Sequence, residues 1–139
     1  MGAKEKAASL HGNGFNCAQS VLGALGEYTG LEESAALAIS GGFGGGACCG
    51  ELCGAISGAV MALGLTHPYC SRGDTEAKLL IRRMTAEFIR DFRETYGCVR
   101  CVELKRSGHP CPQLIEYAAE QAENMLSDNK NKEINDGNL

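Results

Sequence analysis

The sequence predicts an all-α protein that forms a single domain of about five helices. Three observations support this prediction. The chain has 139 residues, about the size of one domain that folds without disulfides or structural metals. Apolar residues recur at three- and four-residue spacing in several segments, and no stretch alternates like a strand. We therefore predict a helical domain over residues 1–127, and a disordered tail over 128–139, which has four Asn and no apolar periodicity.

Five segments carry the helical pattern, and the predicted helices span 16–28, 32–40, 53–65, 74–96 and 112–126. Asn16 or Asn13 can act as the N-cap of the first predicted helix, and Asp74 as that of the fourth. Pro112 is suited to the first turn of the last helix. Gly97 is a natural stop for the long fourth helix. Residues 41–50 contain too much glycine for a helix interior, since each Gly costs about 1 kcal/mol relative to Ala. We predict a Gly-rich loop there.

This loop leads into the third predicted helix, whose early turns carry small residues. Gly54 and Gly58 share one face at a spacing of four residues, which permits close approach of another backbone. We therefore expect this helix to be central in the domain. The fourth helix has an apolar stripe with Ile81 and Ile89 beside it, which is a larger apolar surface than one neighbouring helix would cover. We therefore expect a homo-oligomer, with a dimer as the leading candidate.

Charge and hydropathy exclude several classes of function. The formal net charge is −4, from 13 basic and 17 acidic residues without a long basic run, so nucleic acid is not an expected partner. The start, at residues 1–6, is charged where a secretory signal would be apolar. The most apolar stretch, 53–65, is shorter than the roughly 20 residues that span a bilayer. We expect a cytoplasmic protein without a membrane span.

The chain has eight cysteines, which in a reducing compartment begin as thiols. Metal binding or redox chemistry is then favoured over a permanent disulfide framework. Cys17, Cys53 and Cys111 each stand where a predicted helix begins. A helix N-terminus offers free N–H groups and roughly half a positive charge, which favours thiolate over thiol. The alternative for any single cysteine is a small buried packing residue.

The other cysteine patterns are less informative. Cys98 and Cys101 form a C-x-x-C after the C-terminus of the long helix, where the dipole opposes a thiolate although basic residues nearby favour it. Cys48, Cys49 and Cys53 do not follow a common zinc spacing. The Gly-rich stretch lacks the Gly-Lys-Ser/Thr ending of a phosphate-binding loop, which argues against nucleotide binding.

The histidines add one candidate. His109, two residues before Cys111, is a candidate fourth ligand or thiol-activating base, although a histidine beside a proline in a connection is more often simply solvated. His67, before Pro68, has the same alternative. His11 lies in the approach to the first predicted helix and carries no signal.

An ordered set of motifs resembles the C_GCAxxG_C_C family of redox-active proteins. The segments are 14–21 (GFNCAQSV), 42–46 (GFGGG), 53–58 (CGAISG) and 101–104 (CVEL), followed by Cys111. The resemblance implies a small protein with four characteristic cysteines, which fall here on Cys17, Cys53, Cys101 and Cys111. It also implies a tie to transporters, because family members are often encoded near transporter genes. Cys48, Cys49, Cys70 and Cys98 lie outside this pattern, and their role stays open.

We predict a thiol-based redox function, with a thiol-disulfide oxidoreductase as the candidate activity, and the cofactor stays open between none and an iron-sulfur cluster or zinc. Cys53 and one of Cys17, Cys101 or Cys111 would cycle between dithiol and disulfide by thiolate attack, with an unidentified partner protein. The alternative is a metal-thiolate site in which the same four cysteines hold an iron-sulfur cluster or zinc. A third alternative is a transporter-associated accessory protein. Four cysteines allow three pairings, so the connectivity stays open.

Overall fold

Eight α-helices make up the part of the chain that the computed structural model describes, which comprises the backbone of residues 1–137 and the side chains of residues 1–128. They are α1 (Ala3–Gly12), α2 (Cys17–Ala24), α3 (Gly26–Thr29), α4 (Glu33–Ser40), α5 (Gly54–Thr66), α6 (Thr75–Tyr96), α7 (Cys101–Arg106) and α8 (Cys111–Gly137). The only extended pairing within these residues is an isolated antiparallel bridge between Leu52 and Arg100. The prediction of an all-α fold is confirmed.

Two of the helices were not predicted from the sequence, and one predicted helix is divided. Helix α1 buries only alanines, Ala3 and Ala7, so its apolar face is too small to stand out in the sequence. Helix α7 has six residues, within what the sequence indicates as a connection. The predicted helix 16–28 breaks at Leu25 into α2 and α3, where Gly23 and Gly26 weaken the helix from both sides.

Helix α5 lies at the centre, as its small residues predict. Its buried positions include Gly54, Ala55, Gly58 and Ala59, and it packs against α2, α8 and α6. A Cβ atom added at Gly58 would lie 2.6 Å from the carbonyl oxygen of Ala18 in α2. The predicted close contact between helices at this glycine is therefore confirmed.

The Gly-rich segment, predicted to be a loop, contains two short helical turns. A 3-10 turn covers Gly41–Phe43, and a π-type turn covers Gly46–Gly50. Inside the second turn, Ala47 and Cys48 have φ of 58° and 61°, a left-handed backbone that residues with a side chain seldom adopt. The turn folds back so tightly that a Cβ at Gly46 would lie 2.5 Å from the amide nitrogen of Glu51.

The two long helices, α6 and α8, differ in how closely their bounds match the predicted ones. Asp74 accepts a hydrogen bond from the amide of Ala77 at 3.0 Å and begins α6, and Gly97 ends it with φ 84°, both as predicted. Helix α8 continues to Gly137, beyond the predicted end near Leu126, because neither Gly nor Pro interrupts the sequence between 113 and 136. The side chains of 129–139 lie outside the described residues, and the predicted disordered tail stays a prediction.

Helix α6 lies on the outside of the domain. It buries Met84, Phe88 and Phe92, whereas Leu79 in its first half is 57% exposed. The predicted homo-oligomer stays a prediction. None of the described helices is both long and apolar enough to cross a membrane.

Candidate functional site

A cavity of about 180 Å³ lies where the N-terminal ends of four helices meet. The cysteines that begin these helices all line it. Three of them, Cys17, Cys101 and Cys111, are the first residues of α2, α7 and α8, and Cys53 is the N-cap of α5. The structure thus brings the four predicted site residues to one place, although they are far apart in the sequence.

Cys17 is held by the cap of α2. The side chain of Asn16 accepts from the amide of Gln19 at 3.0 Å, and the side chain of Gln19 accepts from the amide of Asn16 at 3.1 Å. This reciprocal capping box satisfies two free amides of the first turn. Asn16 also donates to the carbonyl of Gly41, and Gln19 donates to that of Leu37, both at 2.9 Å. These hydrogen bonds tie the start of α2, which includes Cys17, to the end of α4.

Cys53 and Cys101 are brought together by the isolated bridge. The amide of Cys53 donates to the carbonyl of Val99 at 2.9 Å, and the amide of Cys101 donates to that of Glu51 at 2.6 Å. These two hydrogen bonds flank the pairing of Leu52 with Arg100. The bridge thus places Cys101 beside Cys53 through main-chain hydrogen bonds.

The four cysteines differ in accessibility. Cys53 is 4% exposed and Cys101 is 9% exposed, whereas Cys17 and Cys111 are half-buried. Cys17 also lies against the start of α5, because a Cβ atom at Gly54 would overlap its Sγ. Cys17 is therefore both a neighbour of the α5 terminus and more open than Cys53.

Burial controls the ionisation of Cys53. Desolvation raises the pKa of its thiol from 9.0 to about 12, while the amides of Ala55 and Ile56 in the first turn of α5 lower it. Negative charge on Cys17 or Cys101 raises this pKa further. The expectation that the helix N-terminus makes Cys53 a ready thiolate is wrong, because desolvation outweighs the helix amides.

Cys111 follows the same rule. Burial raises the pKa of its thiol, charge on Cys17 and Cys101 raises it further, and the ammonium of Lys105 lowers it. Cys17 and Cys101 thus influence both Cys53 and Cys111. Because a charge on one cysteine disfavours a charge on the next, the cavity favours one thiolate at a time.

The alternative prediction, a metal-thiolate site, requires at least three ligands around a shared point. Across residues 1–128, no three His, Cys, Asp or Glu side chains are arranged so that they could hold a metal ion. The donor atoms have suitable chemistry, but their present arrangement does not fit the ion.

The remaining cysteines lie elsewhere. Cys48, Cys49 and Cys70 are exposed, and half-buried Cys98 has its Sγ 3.9 Å from the carbonyl oxygen of Tyr96. None of them lines the cavity. The C-x-x-C motif is therefore divided, since only Cys101 belongs to the site. The dipole that opposes a thiolate acts at Cys98, which follows α6, and not at Cys101, which begins α7.

The histidines are placed differently from what the sequence suggests. His109 has Nε2 3.1 Å from the carbonyl oxygen of Tyr96 and packs edge-on against that ring, away from the cavity. His67 pairs with Thr66 at the end of α5. His11, which no sequence motif marks, lines the cavity beside the cysteines.

His11 was missed because α1 was missed. The signal that the sequence carries for this helix is weak: Ala3, Ala7 and Leu10 recur at helical spacing, and Glu5 lies in the first turn. With α1 recognised, His11 falls in its last turn, close in sequence to Cys17. Lys105, one of the basic residues that follow the C-x-x-C in the sequence, also lines the cavity.

These features define a small all-α protein with a cysteine-lined cavity built from helix starts. A family model described as "Putative redox-active protein (C_GCAxxG_C_C)" matches residues 15–125. The chain belongs to this C_GCAxxG_C_C family, which confirms the resemblance noted in its motifs. Neither the curated proteins nor the solved structures contain a significant match.

Proposed function

We propose that the chain is a thiol-disulfide redox protein that cycles between dithiol and disulfide within the cavity. The observation that carries the proposal is that four cysteines, each at the start of a different helix, line one cavity. If each cysteine were only a buried packing residue, there would be no reason for four that are distant in sequence to line the same cavity. The family description, which names redox activity, supports the same class of function.

Within this site, Cys17 is the attacking thiol and Cys53 the resolving thiol. Cys17 is half-buried and is the first residue of α2, so a partner can reach it more easily than it can reach Cys53. Cys53 is buried, and its raised pKa keeps it a thiol near neutral pH. The contact of Cys17 Sγ with the start of α5 supports this choice of pair.

The exchange transfers two electrons and two protons. The thiolate of Cys17 attacks one sulfur of a partner's disulfide, forming a mixed disulfide while the partner's other sulfur leaves as a thiolate. Cys53 then loses its proton and attacks the sulfur of Cys17, and the partner's second sulfur leaves. The partner becomes a dithiol and the cavity holds a Cys17–Cys53 disulfide. The reverse sequence oxidises a dithiol partner.

The electrostatics favour this order of events. A thiolate at Cys17 raises the pKa of Cys53, so the two sulfurs do not carry charge together. Once Cys17 forms the mixed disulfide it is neutral, and this source of the raised pKa disappears. Formation of the mixed disulfide therefore eases the ionisation of the resolving thiol.

The proposal is tested by equilibrating metal-free protein in glutathione buffers of increasing potential and counting free thiols. The wild type is expected to lose Cys17 and Cys53 together in one two-electron step. Cys17→Ser and Cys53→Ser should abolish that step, whereas Cys70→Ser, at an exposed site outside the cavity, should retain it. A wild type that keeps both thiols free in oxidising buffer contradicts the proposal.

A second measurement tests the alternative of a metal-thiolate site. Protein purified without oxygen is analysed for metal and for visible absorbance. Stoichiometric iron or zinc that protects the four cavity cysteines from alkylation, with protection lost on chelation, would replace the redox proposal with a metal-binding function.

A further inference from the structure

We propose that His11 accepts the proton of Cys17 and so generates the attacking thiolate. This inference rests on the proposed thiol-disulfide function and adds a residue outside the cysteine set. His11 is the histidine that lines the cavity, in company with Cys17 and the other three cysteines. The half-buried ring is held at the end of α1, next to the connection that leads into α2.

A hydrogen bond fixes the tautomer of His11. Its Nδ1 lies 3.1 Å from the carbonyl oxygen of Phe15. A carbonyl oxygen only accepts, so Nδ1 carries the hydrogen and donates it. In the neutral ring this leaves Nε2 as the proton acceptor. The same bond ties the ring to Phe15, two residues before Cys17.

The packing of α1 against α8 sets the location of the ring. The amide of Ala3 donates to the carboxylate of Glu123 at 3.1 Å, and Lys4 lies 3.9 Å from Glu120. The start of α1 is thus beside the middle turns of α8, while His11 near its end lines the cavity with Cys111 and Leu114 of α8, so the two helices run antiparallel. The end of α1, with His11, therefore lies toward the first residue of α8, Cys111.

The other titratable groups that line the cavity come from every element around the ring. They are Cys17 of α2, Cys53 at the start of α5, Cys101 and Lys105 of α7, and Cys111 of α8. Cys53 and Cys101 are the most buried of the four. Of the two half-buried cysteines, Cys17 is chosen over Cys111 as the proton donor because it lies two residues after Phe15, to which the ring is hydrogen-bonded.

The proton transfer completes the first half of the exchange. The Sγ–H proton of Cys17 moves to Nε2, which gives an imidazolium beside a thiolate. The thiolate attacks the partner's disulfide, and the leaving sulfur takes the proton from Nε2. His11 is then neutral again and can accept the proton of the resolving thiol. No group outside the cavity and the partner disulfide is required.

The test uses His11→Asn, since an Asn amide nitrogen can replace Nδ1 as the donor to Phe15 but cannot act as a base. The rate of alkylation of Cys17 in reduced protein is followed by mass spectrometry across a pH series. We expect a rate near neutrality lower by about tenfold or more, and a profile displaced to higher pH. His109→Gln, outside the cavity, is the matched control and should match the wild type.

An unchanged rate and profile in folded His11→Asn would overturn the inference. A second measurement does not depend on that variant. In the wild type, the NMR signals of the His11 ring should change over the same pH range as the alkylation rate of Cys17, and Cys17→Ser should lack that change. A ring that responds to pH alike in both proteins would also overturn it. Disulfide formation in the wild type reports on the proposed function separately, so the two failures are distinguishable.

Discussion

The four cysteines that line the cavity and the four that do not differ in their position relative to helices. The cavity cysteines are each at the N-cap or first position of a helix, and two of them are almost fully buried. The outer cysteines lie in turns and connections, and three of them are exposed. Both sets are free thiols of the same chain, yet only the first set surrounds a shared space.

This difference shows that neighbourhood in sequence does not decide membership of the site. Cys48 and Cys49 precede Cys53 by only a few residues, but the left-handed turn around Ala47 and Cys48 keeps them at the surface. Cys101 is far from Cys53 in sequence and lies beside it through two main-chain hydrogen bonds. The helix starts converge, and the turns that lead to them remain outside.

The largest expected effect separates buried Cys53 from exposed Cys70 at alkaline pH. Because the pKa of Cys53 is raised by folding, its contribution to stability is complete below about pH 9 and is lost between pH 9 and 12, where the unfolded thiol ionises first. The loss should be on the order of a few kcal/mol. Urea unfolding from pH 8 to 11 should show a flatter alkaline slope in Cys53→Ala.

Cys70→Ala is the control for that comparison, and it should retain the alkaline slope of the wild type. Equal slopes in Cys53→Ala and the wild type would mean that Cys53 is not desolvated. The distinction between buried and outer cysteines would then have no energetic basis.

An intermediate effect is expected when a methyl group is added beside Cys17. In Gly54→Ala the new Cβ would overlap Sγ of Cys17 and lie 2.7 Å from the carbonyl oxygen of Phe43, so the cavity must distort. Overpacking of this kind costs roughly 1–3 kcal/mol. Denaturant unfolding should show this loss, and the cavity cysteines should become more reactive toward alkylation.

The matched substitution is Gly64→Ala in the same helix, where a Cβ meets no atom within 4 Å. It should leave alkylation unchanged and stabilise the protein slightly, since Ala favours a helix over Gly. If the two alanine variants behaved alike, the close contact between Cys17 and the start of α5 would be refuted.

The smallest effect concerns the exposed ion pair between Arg100 and Glu51, which lies beside the bridge. The guanidinium of Arg100 lies 3.2 Å from the carboxylate of Glu51, and both groups are exposed. Exposed ion pairs contribute little, because water screens them. Glu51→Gln should leave both the urea midpoint and the oxidation of the cavity cysteines nearly unchanged. A marked loss of disulfide formation would show that the ion pair, and not the main chain, positions Cys53 beside Cys101.

Much of the fold could be predicted because the signals are local. The caps at Asn16 and Asp74, the stop at Gly97 and the small residues of α5 each act within a few residues of sequence. Helix α1 was missed because its buried face consists of Ala3 and Ala7, which produce little apolar contrast. Helix α7 was missed because six residues are too few for a clear period.

The sequence predicts which cysteines line the cavity better than it predicts the ionisation of their thiols. Motif order selected Cys17, Cys53, Cys101 and Cys111, and these line the cavity. The ionisation of Cys53 could not be read from the sequence, because it depends on burial by distant elements, and that burial exceeds the influence of the helix amides. The position of His11 likewise depends on the packing of α1, which local pattern did not reveal.

The most direct test of the account is the disulfide map of the wild-type protein after mild oxidation by glutathione. Peptide mass spectrometry identifies which cysteines are joined, and alkylation before digestion blocks later exchange. The account predicts an internal Cys17–Cys53 disulfide, with Cys48, Cys49 and Cys70 recovered as free or glutathione-capped thiols. Disulfides confined to the outer cysteines, with Cys17 and Cys53 still reduced, would contradict it.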